Sequence, residues 1–366
     1  MTGPLAGVVV ADLSRVLAGP YATMMLADLG AEVIKIERPG VGDDTRAWGP
    51  PYADNGQSTY FQAVNRNKTS RAIDLTSVEG QEKVRRIIER ADVLVENFKP
   101  GALERLGLGY ADLHARFPSL IYCSITGFGS DRGADLPGYD LLVQAMGGLM
   151  SITGPGPGEP TKAGVAVVDV ITGLHATVGI LAALRHRDAT GEGQHVEVSL
   201  LTSLLSALVN QASSVVGAGV VPQIMGNEHP SITPYAVYRT ADRPIVLAVG
   251  NDRQFAALVD VLGVAELAVD DRFATNPARV SHREELTGLL EQRLKGAGAD
   301  HWQDRLHAVG VPCGPINDIE QAIDLAQRLG LQPVVDADGV PGITNPIGFS
   351  ATPATYRSGP PDLPTE

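Results

Sequence analysis

Cysteine is nearly absent from the 366 residues, with only Cys123 and Cys313 present. Two thiols cannot build a disulfide framework, which fits a reducing compartment and leads us to expect a cytoplasmic protein. Basic residues are outnumbered, 29 Lys+Arg against 42 Asp+Glu, and the formal charge of −13 argues against a nucleic-acid partner, because counterion release requires a basic face. Uninterrupted apolar runs are lacking too. His175 breaks the stretch Val170 to Leu184, and Glu197, Asn210 and Gln211 punctuate Val196 to Gly219. Both read as buried core helices rather than membrane spans of ~20 apolar residues. The start, MTGPLAGVVVADLSRV, has no basic n-region and is interrupted by Asp12 and Arg15, so a secretory leader is not expected.

Several catalytic signatures are also missing. The turn DLSRVLAGP after the first apolar run lacks the GxGxxG spacing that brings a backbone against a dinucleotide, although Glu37 stands about where a ribose-binding acid would. The loop GPGPGEPTKAG is not followed by the Lys-Ser/Thr of a phosphate cradle. No HExxH, Cys-x-x-Cys or GxSxG occurs, so neither a metal site nor a serine-hydrolase elbow is expected. Cys313, between Pro and Gly, reads as packing rather than as a nucleophile.

What is present is a turn-rich globular chain, 44% hydrophobic with 41 Gly and 25 Pro, and long enough for about two domains. Short apolar runs alternate with helical patterns: Val8 to Asp12, Glu32 to Ile36, Ala72 to Leu75, Val93 to Glu96 and Ile121 to Ile125 as strands, with helices over Gly19 to Leu29 and Gly80 to Ala91. This alternation predicts an α/β fold with a parallel sheet, whose ligands lie at the carboxyl ends of the strands. The loops Arg15 to Pro20, Arg38 to Arg46 and Asn97 to Arg105 would then converge on one edge. Lys35 to Arg105 holds 12 basic and 11 acidic residues, leaving −14 for the remainder, so this segment is where a phosphorylated ligand could dock. Ordinary surface balance explains the same count equally well.

Thr190 to Leu200 reads as a turn and strand. Beyond Gly226, the strand-like Tyr235 to Val249 and helical stretches Arg253 to Leu262, Arg283 to Leu294 and Trp302 to Val309 predict a smaller α+β domain. The tail from Val340 shows little regular pattern. Asp169 heads a long apolar helical segment, where it could simply cap a helix starting at Val170 or Ile171.

Six ordered segments carry a family resemblance: Val16 to Arg46 (VLAGPYATMMLADLGAEVIKIERPGVGDDTR), Asn65 to Leu75 (NRNKTSRAIDL), Ala91 to Tyr110 (ADVLVENFKPGALERLGLGY), Gly138 to Gly148 (GYDLLVQAMGG), the Asp169 segment, and Gly310 to Asp318 (GVPCGPIND). Together they resemble the class III CoA-transferases of the carnitine and bile-acid (CaiB/BaiF) type, which include an α-methylacyl-CoA racemase branch. The resemblance implies a Rossmann-like CoA-binding large domain over 1–195, a helix and linker over 196–225, a small domain over 226–325, and a return segment over 326–366. It further implies an interlocked homodimer.

By the same resemblance, Asp169 is the nucleophile. Its carboxylate, with a reference pKa of about 3.9, would be ionised at neutral pH and would form an acyl-aspartyl anhydride and then an aspartyl-CoA thioester. CoA would lie against Leu17, Ala18, Arg38, Ala72, Ile73, Asp74, Leu75, Asn97, Phe98, Lys99, Arg105, Gly138, Tyr139 and Asp140. CoA and acyl-CoA are then substrates, the acceptor is a carboxylic acid, and no resident cofactor or membrane partner is expected. Backbone amides near Gly138 or Gly226 would receive the oxyanion.

Racemases of the family place a His after the glycine equivalent to Gly138; here it is Tyr139, and a phenol is a poor base at neutral pH. The second racemase acid is also missing from AVGNDRQF, where Asp252 stands at a different spacing. Transfer is therefore expected over racemisation, with a racemase-like isomerase or a non-catalytic acyl-CoA binding protein as the alternatives. The segment GNEHPSITPY, with His229 and Ser231, resembles members that use dicarboxylates such as succinate or glutarate.

Overall fold

The computed structural model describes residues 3–365. The chain forms two compact units. The first comprises the chain up to Leu149, Lys162–Pro222 and the chain from Gly330; the second comprises Met150–Thr161 and Gln223–Leu329.

The first unit is built on a parallel sheet of β1 (Val9–Asp12), β2 (Glu32–Glu37), β3 (Lys68–Ala72), β4 (Val93–Glu96), β5 (Ile121–Thr126) and β6 (His195–Ser199), in the spatial order β3-β2-β1-β4-β5-β6. That order reverses between β1 and β4, the place where doubly wound sheets open a crevice at their carboxyl ends. Strand alternation sends Val10 to one face and Ala11 to the other, and both faces are covered. On the first lie α1 (Ala18–Asp28) and, later in the chain, α6 (Val167–Thr190); α2 (Thr59–Gln62) is a single turn, and α3 (Val78–Ile88) and α4 (Tyr110–Arg116) cover the second. Two further helices, α7 (Leu200–Ala207) and α8 (Val209–Ala218), follow β6, and α5 (Asp140–Met146) precedes α6.

Among the described residues α6 is the single unbroken helix long and apolar enough to cross a membrane; α7 and α8 pass the same test only as a pair, which is bent by 84°. In the fold, Val168, Ala176, Ile180, Ala183 and Leu184 of α6 are core residues. A Cβ on Gly173 would stand only 2.6 Å from the Ala18 carbonyl oxygen, so glycine is what allows α6 to lie this close to α1.

Three sequence expectations change. The strand expected at Ala72 to Leu75 lies over Lys68–Ala72, and Ile73 to Leu75 continue past its end. Its polar residues hid it: Lys68 and Ser70 are buried because they bond Asp12 and Glu37. The large domain, expected to end at 195 before a helix and linker over 196–225, instead runs on: β6 is the strand expected within Thr190 to Leu200, and α7 packs into the core of the first unit. The glycine-rich loop 150–161, expected in the large domain, belongs to the second unit, where Gly154 approaches the Glu159 backbone and Ile224.

The second unit carries an antiparallel sheet of β7 (Tyr235–Tyr238), β8 (Ile245–Ala248) and β9 (Cys313–Pro315), with α9 (Asp252–Val261), α10 (Asn276–Ser281), α11 (Arg283–Leu294), α12 (Ala299–His307) and α13 (Ile319–Arg328). Its core holds Phe255, Phe273, Leu290 and Trp302. Arg279 is wholly buried there, and is tolerated because it donates to the carbonyls of Thr233 and Phe273 and to Asp252. The returning chain forms the hairpin β10 (Val334–Ala337) and β11 (Val340–Ile343) in the first unit. It is held where Arg66 and Asn67 converge on buried Asp28, with Arg66 also donating to the Ile343 carbonyl and Asn67 to that of Thr355.

Candidate active site

At the sheet's switch point, the loops after β1 and β4 are clasped together. The Arg15 amide donates to the Asn97 side-chain oxygen at 2.8 Å, and the Asn97 side-chain nitrogen donates to the Arg15 carbonyl at 2.7 Å. The Arg15 guanidinium sits 5.2 Å from the Phe98 ring centroid, a cation–π distance. Asp44 holds two arginines, Arg15 at 3.4 Å and Arg38 at 3.1 Å.

Buried charges underlie this edge. Lys35 and Lys68 are fully buried, with Lys35 2.9 Å from Asp43 and Lys68 3.0 Å from Asp12. Asp12, held by both lysines and by the Ser14 and Thr23 hydroxyls, has its carboxyl lowered to about 2 despite burial, which alone would raise it. Burial lowers Lys68 to about 8, against the pull of Asp12. Lys35 also donates to the Ser14 carbonyl, and Asp43 accepts from the Val16 amide. Val16 has φ of 69°, a left-handed conformation that a β-branched residue resists, so these bonds hold a strained turn at the ligand edge.

A channel of about 430 Å³ runs from this clasp to the head of α6. It is lined by Leu17, Ala18, Asn97, Phe98, Lys99, Gly138, Tyr139, Asp140 and Asp169. A neighbouring cavity of about 210 Å³ is lined by Arg38, Ile73, Asp74 and Leu75, and Arg15 and Phe98 border both spaces. Of the sequence candidates, Ala72 remains within β3, paired with Glu37, and Arg105 is exposed on the short 3-10 helix Glu104–Leu106; neither lines either of these two cavities.

Asp169 does not cap its helix. Helix α6 begins at Val167, and the cap comes from another element: one Asp140 oxygen accepts the amides of Val168 at 2.8 Å and Asp169 at 3.2 Å. The other Asp140 oxygen accepts from Gln144, whose own oxygen accepts from the Ala163 amide. Asp140 is thereby fixed as an acceptor. No hydrogen bond to the Asp169 carboxylate occurs among the described residues. Burial, reinforced by the charge of Asp140, pushes the Asp169 carboxyl up to about 7. The expectation of a fully ionised carboxylate at neutral pH is thus corrected, because the reference value ignores both effects.

Gly138 seats the channel wall on the end of β5. A Cβ on Gly138 would meet the Gly127 Cα at 2.8 Å, and a Cβ on Gly127 would meet the Gly138 Cα at 2.4 Å. Neither position accepts a side chain unless the Tyr139–Asp140 segment moves. Tyr139 itself is 65% exposed. In the second unit, the His229 ring accepts from the Ser231 amide and packs on Tyr235, so its own loop already employs it.

Comparison with known proteins decides the family. The model described as CoA-transferase family III matches residues 5–365. This chain belongs to that family. It is 46% identical over 371 residues to succinate–glutarate CoA-transferase of Agrobacterium fabrum, covering 98% of this chain and 93% of that protein. It is 44% identical over 347 residues to succinyl-CoA:glutarate CoA-transferase of Mus musculus, covering 93% and 79%. A CaiB/BaiF family protein from Brucella suis superposes with a TM-score of 0.90 at 46% identity, covering 99% of this chain and 97% of that one.

Within this CoA-transferase framework the described residues lining the channel include no histidine. Asp252, the acid nearest in sequence to the racemases' second group, is bound to Arg279 at 2.7 Å. Sequence reasoning passed over Arg15, Asp44 and Glu96. The usable signal for Arg15 was its place three residues beyond β1 at a sheet edge; Glu96 read only as the last residue of a strand.

Proposed function

We propose that this CoA-transferase moves CoA from succinyl-CoA to a dicarboxylate such as glutarate, with Asp169 as the nucleophile. The observation that carries this reading is a carboxyl with no hydrogen bond among the described residues, raised to about 7, sharing one channel with the Asn97–Lys99 loop and the Arg15 edge. Such a group is ionised in a useful fraction at neutral pH yet poorly solvated, which favours attack. The two glutarate-using relatives support the substrate class.

In the proposed sequence an Asp169 oxygen bonds to the thioester carbonyl carbon, the C–S bond breaks, and CoA thiolate departs, leaving a succinyl-aspartyl anhydride. The thiolate attacks the aspartyl carbonyl and releases succinate, giving an aspartyl-CoA thioester. The acceptor carboxylate displaces the thiolate to form a second anhydride. The thiolate then attacks the acceptor's acyl carbon, producing the new acyl-CoA and restoring the Asp169 carboxylate. Protons and redox equivalents are conserved at every step, so CoA serves as substrate and no resident cofactor is required. The Gly138 segment, set against Gly127, is the proposed source of backbone donors for the oxyanion.

Incubation with succinyl-CoA should give an intact-mass adduct that hydroxylamine removes, and glutarate should discharge it to glutaryl-CoA. Absence of any adduct with succinyl-CoA would refute the covalent route. We further propose an interlocked homodimer acting in the cytoplasm; sedimentation should return twice the 38.5 kDa chain mass, and a monomeric mass overturns the dimer.

A further inference from the structure

We propose that Glu96 is a positioning residue for CoA, setting the Asn97–Phe98 wall of the channel through a hydrogen-bond chain that runs by Ser124 to His195. This rests on the reading that the channel takes CoA. Glu96 closes β4, is 8% exposed, and lies in register with Ser124 of β5. One carboxylate oxygen accepts the Phe98 amide at 2.8 Å, and the Ser124 hydroxyl, in register on the neighbouring strand, lies beside the carboxylate and favours its ionised form. That same hydroxyl lies 2.9 Å from His195 Nε2. The imidazole is held by stacking on Tyr110 at 4.6 Å between centroids and by the edge of Tyr122 at 5.4 Å.

The hydroxyl has one proton, so the chain has two directions. With Glu96 ionised, Ser124 donates to it and His195 must supply an Nε2–H. With Glu96 protonated, the acid donates to Ser124, which then donates to a bare Nε2. Only the ionised form gives the Phe98 amide a charge-assisted acceptor, a bond roughly twice as strong as the neutral one. Phe98 borders both cavities, and its neighbour Asn97 clasps Arg15, so a tighter bond at this amide orders the wall that both ends of a CoA molecule would touch.

The surrounding groups place the switch near neutrality. Burial pushes Glu96 up to about 7, with Glu104 adding to the rise and the Ser124 and Phe98 bonds opposing it. His195 is lowered by burial, against Glu197 and Glu104, and so is largely neutral there. Burial raises Cys123 to about 12 and Tyr122 far above the ordinary phenol range, so neither titrates with Glu96. Arg15, over Phe98, is engaged by Asp44, and Lys99 by Asp135.

The test is calorimetric binding of dephospho-CoA between pH 6 and 8.5 to the full-length Asp169→Asn protein. That background removes the titration of Asp169, and the ligand lacks the phosphate monoester that titrates in this range. Affinity should strengthen about fivefold as pH rises through 7, the gain expected from charging one acceptor. Adding Glu96→Gln should hold affinity near its low-pH value at every pH. Should that variant fail to fold, Ser124→Ala carries the test: losing a donor to the ionised form should move the midpoint up by about half a pH unit or more. A pH-independent affinity in the parent, or an unchanged slope in both variants, overturns the role of Glu96. Absence of dephospho-CoA binding at any pH overturns the CoA reading along with it.

Discussion

Asp169→Asn should lower steady-state CoA transfer by about 1000-fold or more, because an amide cannot form either anhydride or the aspartyl thioester. The same change should make the protein more stable at neutral pH. Asp169 has its folded-state value raised to about 7 from the ordinary 3.8 of a free aspartate, so between those values the folded chain binds more protons than the unfolded one, and stability falls as pH rises. The amide does not titrate. The stability gap between variant and parent should therefore be negligible near pH 4, widen up to pH 7, and level off at about 2 kcal/mol once solvent at the channel mouth is allowed for. Urea melts across pH 4 to 8 measure it. In the parent, the single-turnover rate of adduct formation at saturating succinyl-CoA should rise through pH 7 to a plateau. A variant that retains the adduct, or a rate indifferent to pH, would remove Asp169 from the chemistry.

The second large effect is structural. Lys35→Met should cost about 3–5 kcal/mol, because it leaves Asp43 buried without its cation and also removes a charge that stabilises ionised Asp12. Urea unfolding of the first unit should report it. Pairing the substitution with Asp43→Asn should recover part of the loss, since an unpaired buried charge is worse than none. Recovery of stability need not restore ligand binding: Asp43 also accepts the Val16 amide and caps the turn at Thr45, so the double variant should still bind CoA poorly. A melting midpoint for Lys35→Met within about 1 kcal/mol of the parent would mean that water or another donor replaces the ammonium.

The strands that could be recognised in the sequence were those whose burial is apolar. Val93–Glu96 and Ile121–Thr126 announce themselves because Val, Ile and Leu fill both faces of a covered sheet. Strand β3 did not, since its inward residues are Lys68 and Ser70, whose burial depends on partners contributed by β1 and β2. No one-dimensional pattern displays a partner 56 residues away. The same limit applied at the site. Residue types and order placed Asp169, Asn97 and Phe98 together by family likeness, but the transfer of the α6 cap from Asp169 to Asp140 is a matter of three-dimensional register. So is the elevation of Asp169, which depends on how much water the fold excludes. Glu96, at the end of a short strand, gave no hint of its bonds to Phe98 and Ser124.

Arg15 and Phe98 each border both cavities, so a ligand lodged in the two spaces is anchored at two places by one rigid clasp. Cutting such a ligand at its far end liberates a tail but not a molecule. The severed sulfur would then search a volume set by the length of its own tether, at an effective concentration in the millimolar range or above, rather than escape to solvent. Thioester cleavage would thereby be reversible within the protein by chain mechanics alone, and exchange would outrun hydrolysis without any lid having to close.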